Sequence, residues 1–254
     1  MTGRSDGRRV AVEVAVQDVA GARVAARAGA DRVELCAALG ATGGVTPGPG
    51  LVARVLEALA DLDGSDALGV HVLVRPRPGG FVHDADEADV LVAEVRSAVA
   101  AGAAGVVVGA LTGAGVVDAA LVARLVDAAD GREVTFHRAL DVVAEPLRAV
   151  DRLADLGVVR VLTSGGRPRA ADATVELRTL VAHAAGRLQV MAGGGVVPGD
   201  VARLVRAGVD AVHLSARASV PDRGPAGPGG GAGGDLDVTD AALVGQAVAA
   251  AATG

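Results

Sequence analysis

Carboxylates, imidazoles and guanidiniums fall on one parity of the strand-like runs of this chain. Glu13 lies in VAVEVAV, Glu34 and Cys36 in DRVELC, His71 and Arg75 in GVHVLVRPR, His137 in EVTFHRA, Gln189 and Met191 in LQVMAGG, and His213 and Ser215 in AVHLSA. The opposite parity is nearly all Val, Leu and Phe. Strand side chains alternate faces with period two, so one face is greasy and the other carries chemistry. Adjacent carboxylates in a half-dry environment acquire separated proton affinities, which makes Glu13 and Glu34 the candidate acid and base and His137 the next proton-transfer group. The competing structural reading is that Glu13 and Glu34 balance Arg75, Arg32 or Arg160, because buried charges must be paired.

A second set points to anion binding. Arg75 and Arg77 frame RPR, Arg138 follows His137, and guanidinium groups capture carboxylate or phosphate bidentately. The Gly-rich segments TSGG (Thr163 to Gly166) and GGG (Gly193 to Gly195) offer backbone N–H groups, through Ser164, Gly165, Gly194 and Gly195, and Ser215 adds a hydroxyl. Asp141 is read as a cap of the following helix or as a partner that orients Arg138.

The elements that must position these groups alternate. Short β-rich runs begin near Val10, Asp31, Gly69, Gly105, Glu133, Val158, Leu188 and Asp210. Between them stand segments of helical period: Asp18 to Ala28, Pro49 to Leu62, Asp86 to Ala101, Asp118 to Ala129, Glu145 to Leu156, Ala170 to Ala185 and Pro198 to Ala207. Asp18, Asp86 and Asp118 are the expected N-caps, and Gly29, Gly102, Gly157 and Gly208 the expected left-handed caps after helices. A closed (β/α)8 TIM-type barrel satisfies all of this, with helices outside and polar groups inside. Its 254 residues suit one such domain over 1–254. From Pro221 to Asp235 the sequence is Gly- and Pro-rich, which predicts a flexible loop after the eighth strand that is either a lid or a plain insertion, with a closing helix from Thr239 to Ala252.

Composition narrows the function. The formal net charge is -6, against a nucleic-acid footprint. Hydrophobic residues make up 51% and aromatics 1%, so the core is built from small aliphatic groups. A lone cysteine, Cys36, excludes an intramolecular disulfide and suits a reducing cytosol. No signal-like or membrane-length apolar run is present, so a cytoplasmic protein with no membrane partner is expected.

The ordered series GADRVELC (Gly29 to Cys36), GGVTPGPG (Gly43 to Gly50), RPRPGGF (Arg75 to Phe81), TFHRALD (Thr135 to Asp141), RVLTSGG (Arg160 to Gly166), MAGGGV (Met191 to Val196) and VHLSA (Val212 to Ala216) resembles the CutC family, whose members carry the label copper homeostasis protein. The resemblance runs from the first strand to the eighth. It implies a TIM-like barrel, a cytosolic location, a homo-oligomer such as a dimer, and a connection to copper. On the inner parity the donors suited to that ion are Cys36, His71 and His213, with Met191 as a weaker one, since cuprous ion prefers thiolate, thioether and imidazole. His183, in a helix, has no assigned role. The chain departs from the family pattern after RPR, where Gly-Gly-Asp-Phe and a Tyr usually stand and PGGFVHD occurs here, with His83, read as a surface residue, in place of the ring hydroxyl.

Three functions follow in order. The family label gives copper homeostasis through copper binding. Residue chemistry alone gives an enzyme acting by acid/base chemistry on a small anionic, in one version phosphorylated, metabolite. The third is a barrel kept for an oligomeric interaction.

Overall fold

The protein is described here by a computed structural model, which covers residues 9–62, 68–222 and 235–253. Eight parallel strands close into one barrel in sequence order: β1 (Ala11–Val16), β2 (Arg32–Leu35), β3 (Gly69–Leu73), β4 (Gly105–Val108), β5 (Glu133–Phe136), β6 (Arg160–Thr163), β7 (Gln189–Gly193) and β8 (Ala211–Leu214). The helices are α1 (Val19–Arg27), α2 (Leu39–Thr42), α3 (Pro49–Ala60), α4 (Ala85–Ala101), α5 (Ala119–Ala128), α6 (Pro146–Asp155), α7 (Thr174–Ala184), α8 (Pro198–Arg206) and α9 (Ala241–Thr253). This is the (β/α)8 TIM-type architecture. Outward residues of the strands, such as Val12, Val14, Val33, Val72, Val106, Phe136, Val161, Val190 and Val212, merge with helix residues such as Leu91, Leu125, Leu153, Leu177 and Leu204 in one aliphatic layer. Burying it supplies the main favourable free energy of the fold.

Helix limits follow local chemistry. Asp18 and Asp118 accept from the N–H groups of Gly21 at 2.6 Å and Leu121 at 3.0 Å, as caps do. The α4 cap is Asp84 rather than Asp86. Asp84 accepts from Glu87 N–H while the Glu87 carboxylate returns to Asp84 N–H, the reciprocal pair that Asp86, already inside the first turn, cannot make. Gly29, Gly102, Gly157 and Gly208 all have φ between +87° and +102°, the left-handed turn expected of them. The segment Ala170 to Ala185 is divided, a 3-10 turn over Ala170–Asp172 preceding α7.

The expected loop over 221–235 is corrected at both ends. Arg217–Pro221 forms β9 and Asp235–Thr239 forms β10, an antiparallel pair in which Asp235 faces Pro221 and Thr239 faces Arg217. Thr239 therefore closes a strand, and the last helix starts at Ala241. Residues 223–234, on which the lid reading rested, lie outside the described residues. The hairpin is tied to the carboxyl end of the barrel by Arg217–Asp237 at 2.9 Å and by Gln17 Nε2 donating to Asp237 O at 3.3 Å.

Candidate functional site

The barrel interior is layered by register. Glu13 pairs in register with Arg32 on one side and His213 on the other, and Glu34 pairs with His71. Side chains at paired positions point the same way, so these groups meet in the lumen. Toward the amino ends, Arg160 is almost wholly buried and fully satisfied, donating to Gln189 Oε1 at 2.8 Å, Thr135 Oγ1 at 3.0 Å and Glu133 Oε2 at 2.9 Å. His71 lies beside this cluster, 3.5 Å from Glu133. Its burial pushes the imidazole down to about 4, with Arg160 and Arg32 adding to the shift, so it is neutral.

Above that floor stands a buried row. Arg32 Nε donates to Glu13 Oε2 at 3.1 Å, His213 Nδ1 lies 2.8 Å from Glu13 Oε1, and His213 Nε2 lies 3.7 Å from Glu34 Oε2. Burial works against the Glu13 anion. The His213 hydrogen bond and the charges of His213 and Arg32 more than offset it and hold Glu13 well below the ordinary carboxylate range. Glu34 goes the other way. Burial pushes it up to about 7, the Glu13 charge adds to this, and His213 opposes it. Burial disfavours the charged form of His213, but Glu34 and Glu13 together raise its pKa above the ordinary imidazole value. One carboxylate is thus fixed as an anion and its neighbour is poised to exchange a proton near neutrality, the separation used for acid/base work.

Glu34 and His213 open onto a cavity of about 350 Å³ at the carboxyl ends of the strands. Arg75, His137, Arg138, Gly194, Gly195 and Ser215 supply its polar lining, and Leu73, Phe81 and Leu162 its apolar walls. His137 Nδ1 accepts from Ala139 N–H at 3.1 Å, which leaves the proton on Nε2. Burial, helped by Arg75, pushes this imidazole down to about 3. His137 is therefore a neutral N–H donor at physiological pH, suited to stabilising negative charge rather than to removing a proton. Gly194 and Gly195 have φ of +113° and +62°, and among the described residues none accepts from their N–H groups.

With this geometry stand the comparisons. The profile of the CutC family matches residues 10–218. The chain belongs to the CutC family. A CutC family protein of Xylella fastidiosa (strain 9a5c) is 44% identical over 256 residues, covering 97% of this chain and 93% of the relative. One from Histophilus somni (strain 2336) is 40% identical over 207 residues, covering 81% and 82%. A solved CutC structure from Streptococcus agalactiae superposes with a TM-score of 0.76 at 27% identity, over 81% of this chain and 98% of that one.

Within this CutC barrel the residues singled out by sequence divide into groups. Glu34, Arg75, His137, Arg138, Gly194, Gly195, His213 and Ser215 share the cavity, and Glu13 lies directly behind it. Arg77 does not join them. Its guanidinium is bound by Glu87 and donates to Val82 O at 3.0 Å, outside the mouth. Ser164 and Gly165 are likewise not presented to a ligand, because the Ser164 N–H and hydroxyl are taken by Asp141 and the Gly165 N–H by Thr163 Oγ1 at 2.8 Å. Arg75 donates to the carbonyls of Thr42, Gly44 and Gly79 at 2.9–3.0 Å, pinning the loops around the mouth while its charge meets no described carboxylate. The ring of His83 is buried, 3.4 Å from Glu87, and is no surface residue. His183 binds Asp151 at 3.0 Å on the outer face.

The copper donors fail a test of fit. Cys36 is sealed between Leu73 and Val107, its thiol directed at Val16 O at 3.5 Å, and burial pushes its pKa further up, so no thiolate is offered. His71 belongs to the amino-end cluster, His213 is held between two glutamates, and Met191 Sδ accepts from Arg32 at 3.7 Å. Among the described residues no group of three His, Cys, Asp or Glu side chains is arranged to hold a metal ion. Sequence reasoning passed over Phe81 and Leu39 as lining residues. Phe81, 4.9 Å from the His137 ring, sits in a loop whose glycines carry no periodic signal.

Proposed function

We propose that this CutC-family protein is a cytoplasmic, homodimeric barrel enzyme that moves a proton on a small anionic metabolite, phosphate- or carboxylate-bearing. The observation that carries the reading is the buried row Glu13–His213–Glu34, ending at the cavity on a carboxyl group balanced near neutral pH. Arg138, the N–H groups of Gly194 and Gly195, and the Ser215 hydroxyl hold the anion. Glu34 takes up or gives the proton, His213 and Glu13 keep its two forms close in energy, and the His137 N–H faces the charge that develops. A positioned acid/base of this kind contributes about 10²–10⁴-fold in rate. The amino end of α8 is not part of the anion seat, because Asp200 already accepts from Val197 N–H at 3.2 Å and from Arg169 at 3.0 Å there.

The kinship carries a second reading. The Streptococcus agalactiae relative is provisionally named a copper homeostasis protein. A copper role for this chain would run through its small-molecule chemistry, because the donors of Cys36, His71 and His213 are not gathered for direct ligation. Untagged protein titrated with inorganic phosphate and, separately, with cuprous ion tests both readings. We expect one phosphate per chain, weakened about tenfold or more by Arg138→Gln, as loss of a charge-assisted contact gives, and less than one copper per chain. Absence of phosphate binding removes the enzyme reading. Stoichiometric copper abolished by Cys36→Ser installs direct copper binding in its place.

A further inference from the structure

Asp141 follows β5 in a 3-10 turn over Arg138–Val142, and its carboxylate is nearly sealed, with 8% of the side chain exposed. Its Oδ1 accepts from Thr163 Oγ1 at 2.5 Å, Ser164 N–H at 2.9 Å and Gly166 N–H at 3.2 Å. Its Oδ2 accepts from Ser164 Oγ at 2.9 Å, Ser164 N–H at 3.1 Å and Arg138 Nε at 2.8 Å. Gly165 and Gly166 both have positive φ, +68° and +74°, which turns neighbouring N–H groups toward one point. Converging backbone N–H groups of this kind form an anion-binding concavity. In this protein an internal carboxylate fills it.

The same carboxylate fixes Arg138. Asp141 holds Nε and the Ser164 hydroxyl holds Nη2 at 3.0 Å, so two edges of the guanidinium are engaged by the loop. The remaining nitrogen, Nη1, approaches Gly194, where a Cβ would lie 3.1 Å from Arg138 Cζ and 3.3 Å from Nη1. The lone pairs of Ser164 Oγ are directed as well, since that hydroxyl donates to Asp141 and also contacts Arg167 O at 2.5 Å. Two Gly-rich loops therefore stand on either side of Arg138, one already holding an anion and one without.

We propose that Asp141 is the positioning residue that decides where a ligand's anionic group sits. By occupying the Thr163–Gly166 loop and pinning Arg138, it leaves the Gly194–Gly195 side as the one seat for a phosphate or carboxylate. This rests on the proposed anion site, and it adds the residue that gives the site its place. The substrate class it selects bears one such group at that end. A ligand anion on the Thr163–Gly166 side would meet the Asp141 charge within hydrogen-bonding distance of its own donors.

Amide NMR of the full-length protein with inorganic phosphate, and thermal melts with sodium formate, test this on wild type, Asp141→Ala and Asp141→Asn. In wild type, phosphate should shift the Gly194 and Gly195 amides and leave Gly165 and Gly166 in place, and formate should raise the melting temperature by less than it does in Asp141→Ala. In Asp141→Ala, formate should raise the melting temperature and phosphate should now shift Gly165 and Gly166, the small anion standing in for the missing carboxylate. Asp141→Asn retains the side-chain shape but loses the carboxylate that orients Arg138, and should bind phosphate about tenfold more weakly. It serves also if Asp141→Ala does not fold. Unchanged phosphate affinity in Asp141→Asn, or an Asp141→Ala protein blind to formate with the wild-type shift pattern, overturns the proposal. Phosphate failing to bind wild type while formate still rescues Asp141→Ala would support the filled loop and overturn the proposed function instead.

Discussion

Glu34 and Glu13 are neighbours across one imidazole, yet the fold favours opposite protonation states in them. The folded protein holds a proton on Glu34 up to about pH 7, whereas the unfolded chain releases it near the ordinary value of 4.5. More protons bound in the folded state means that stability falls as pH rises through that window and is fully present below it. His213, also raised, acts in the same direction at higher pH. We expect the unfolding free energy from urea melts to drop between pH 5 and pH 8, by an amount on the order of 3 kcal/mol from Glu34, and Glu34→Gln to flatten the lower half of that drop. Parallel pH profiles for wild type and Glu34→Gln would refute the assignment. The parity of Glu13, Glu34, His71, His137 and His213 was readable from sequence because a barrel strand has only two faces. The fate of Arg77 was not, because its direction depends on Glu87, ten residues on, in a helix that a turn of unknown course brings back.

At the scale of elements, the lumen is shaped by glycines seated next to imidazoles. A Cβ on Gly109, just past β4, would fall 2.0 Å from His137 Cε1, and one on Gly105 would fall 2.7 Å from the His71 ring. Strand β4 thus gives up side chains so that β3 and β5 can project rings inward. Gly109→Ala should cost about 1–3 kcal/mol through overpacking, measured by urea unfolding, and adding His137→Ala should return most of it. A loss that persists in the double variant would show that backbone strain, not the ring, sets the cost. The helix periods and two of the three expected N-caps, Asp18 and Asp118, were legible, since capping is a local matter. The β9–β10 hairpin was hidden because RASVP and DLDVT are short runs of mixed polarity separated by a Gly/Pro stretch, and neither carries the turn signal that marks a tight hairpin. The Arg138–Asp141 pair was readable as an i,i+3 spacing, but the rest of the hub at Asp141 was not, because its other donors come from 22 to 25 residues further on.

Over the whole molecule, closure depends on the last helix. The family profile ends at residue 218, but α9 packs on α8, α1 and β1, burying Val244, Ala247 and Ala251 against the wall where first and last strands meet. A chain ending at Arg217 should lose the single cooperative unfolding transition and expose apolar surface. Dye binding and circular dichroism would check this, and a cooperative melt in the shortened chain would refute it. The aliphatic character of that wall has a practical consequence. The chain has no Trp or Tyr and two Phe, of which Phe136 is turned to the helix layer and Phe81 to the cavity. Ultraviolet emission from the native protein is therefore close to blank, and Phe81→Trp would place one indole lamp at the mouth, able to report occupancy by any uncoloured guest without interference from elsewhere in the chain.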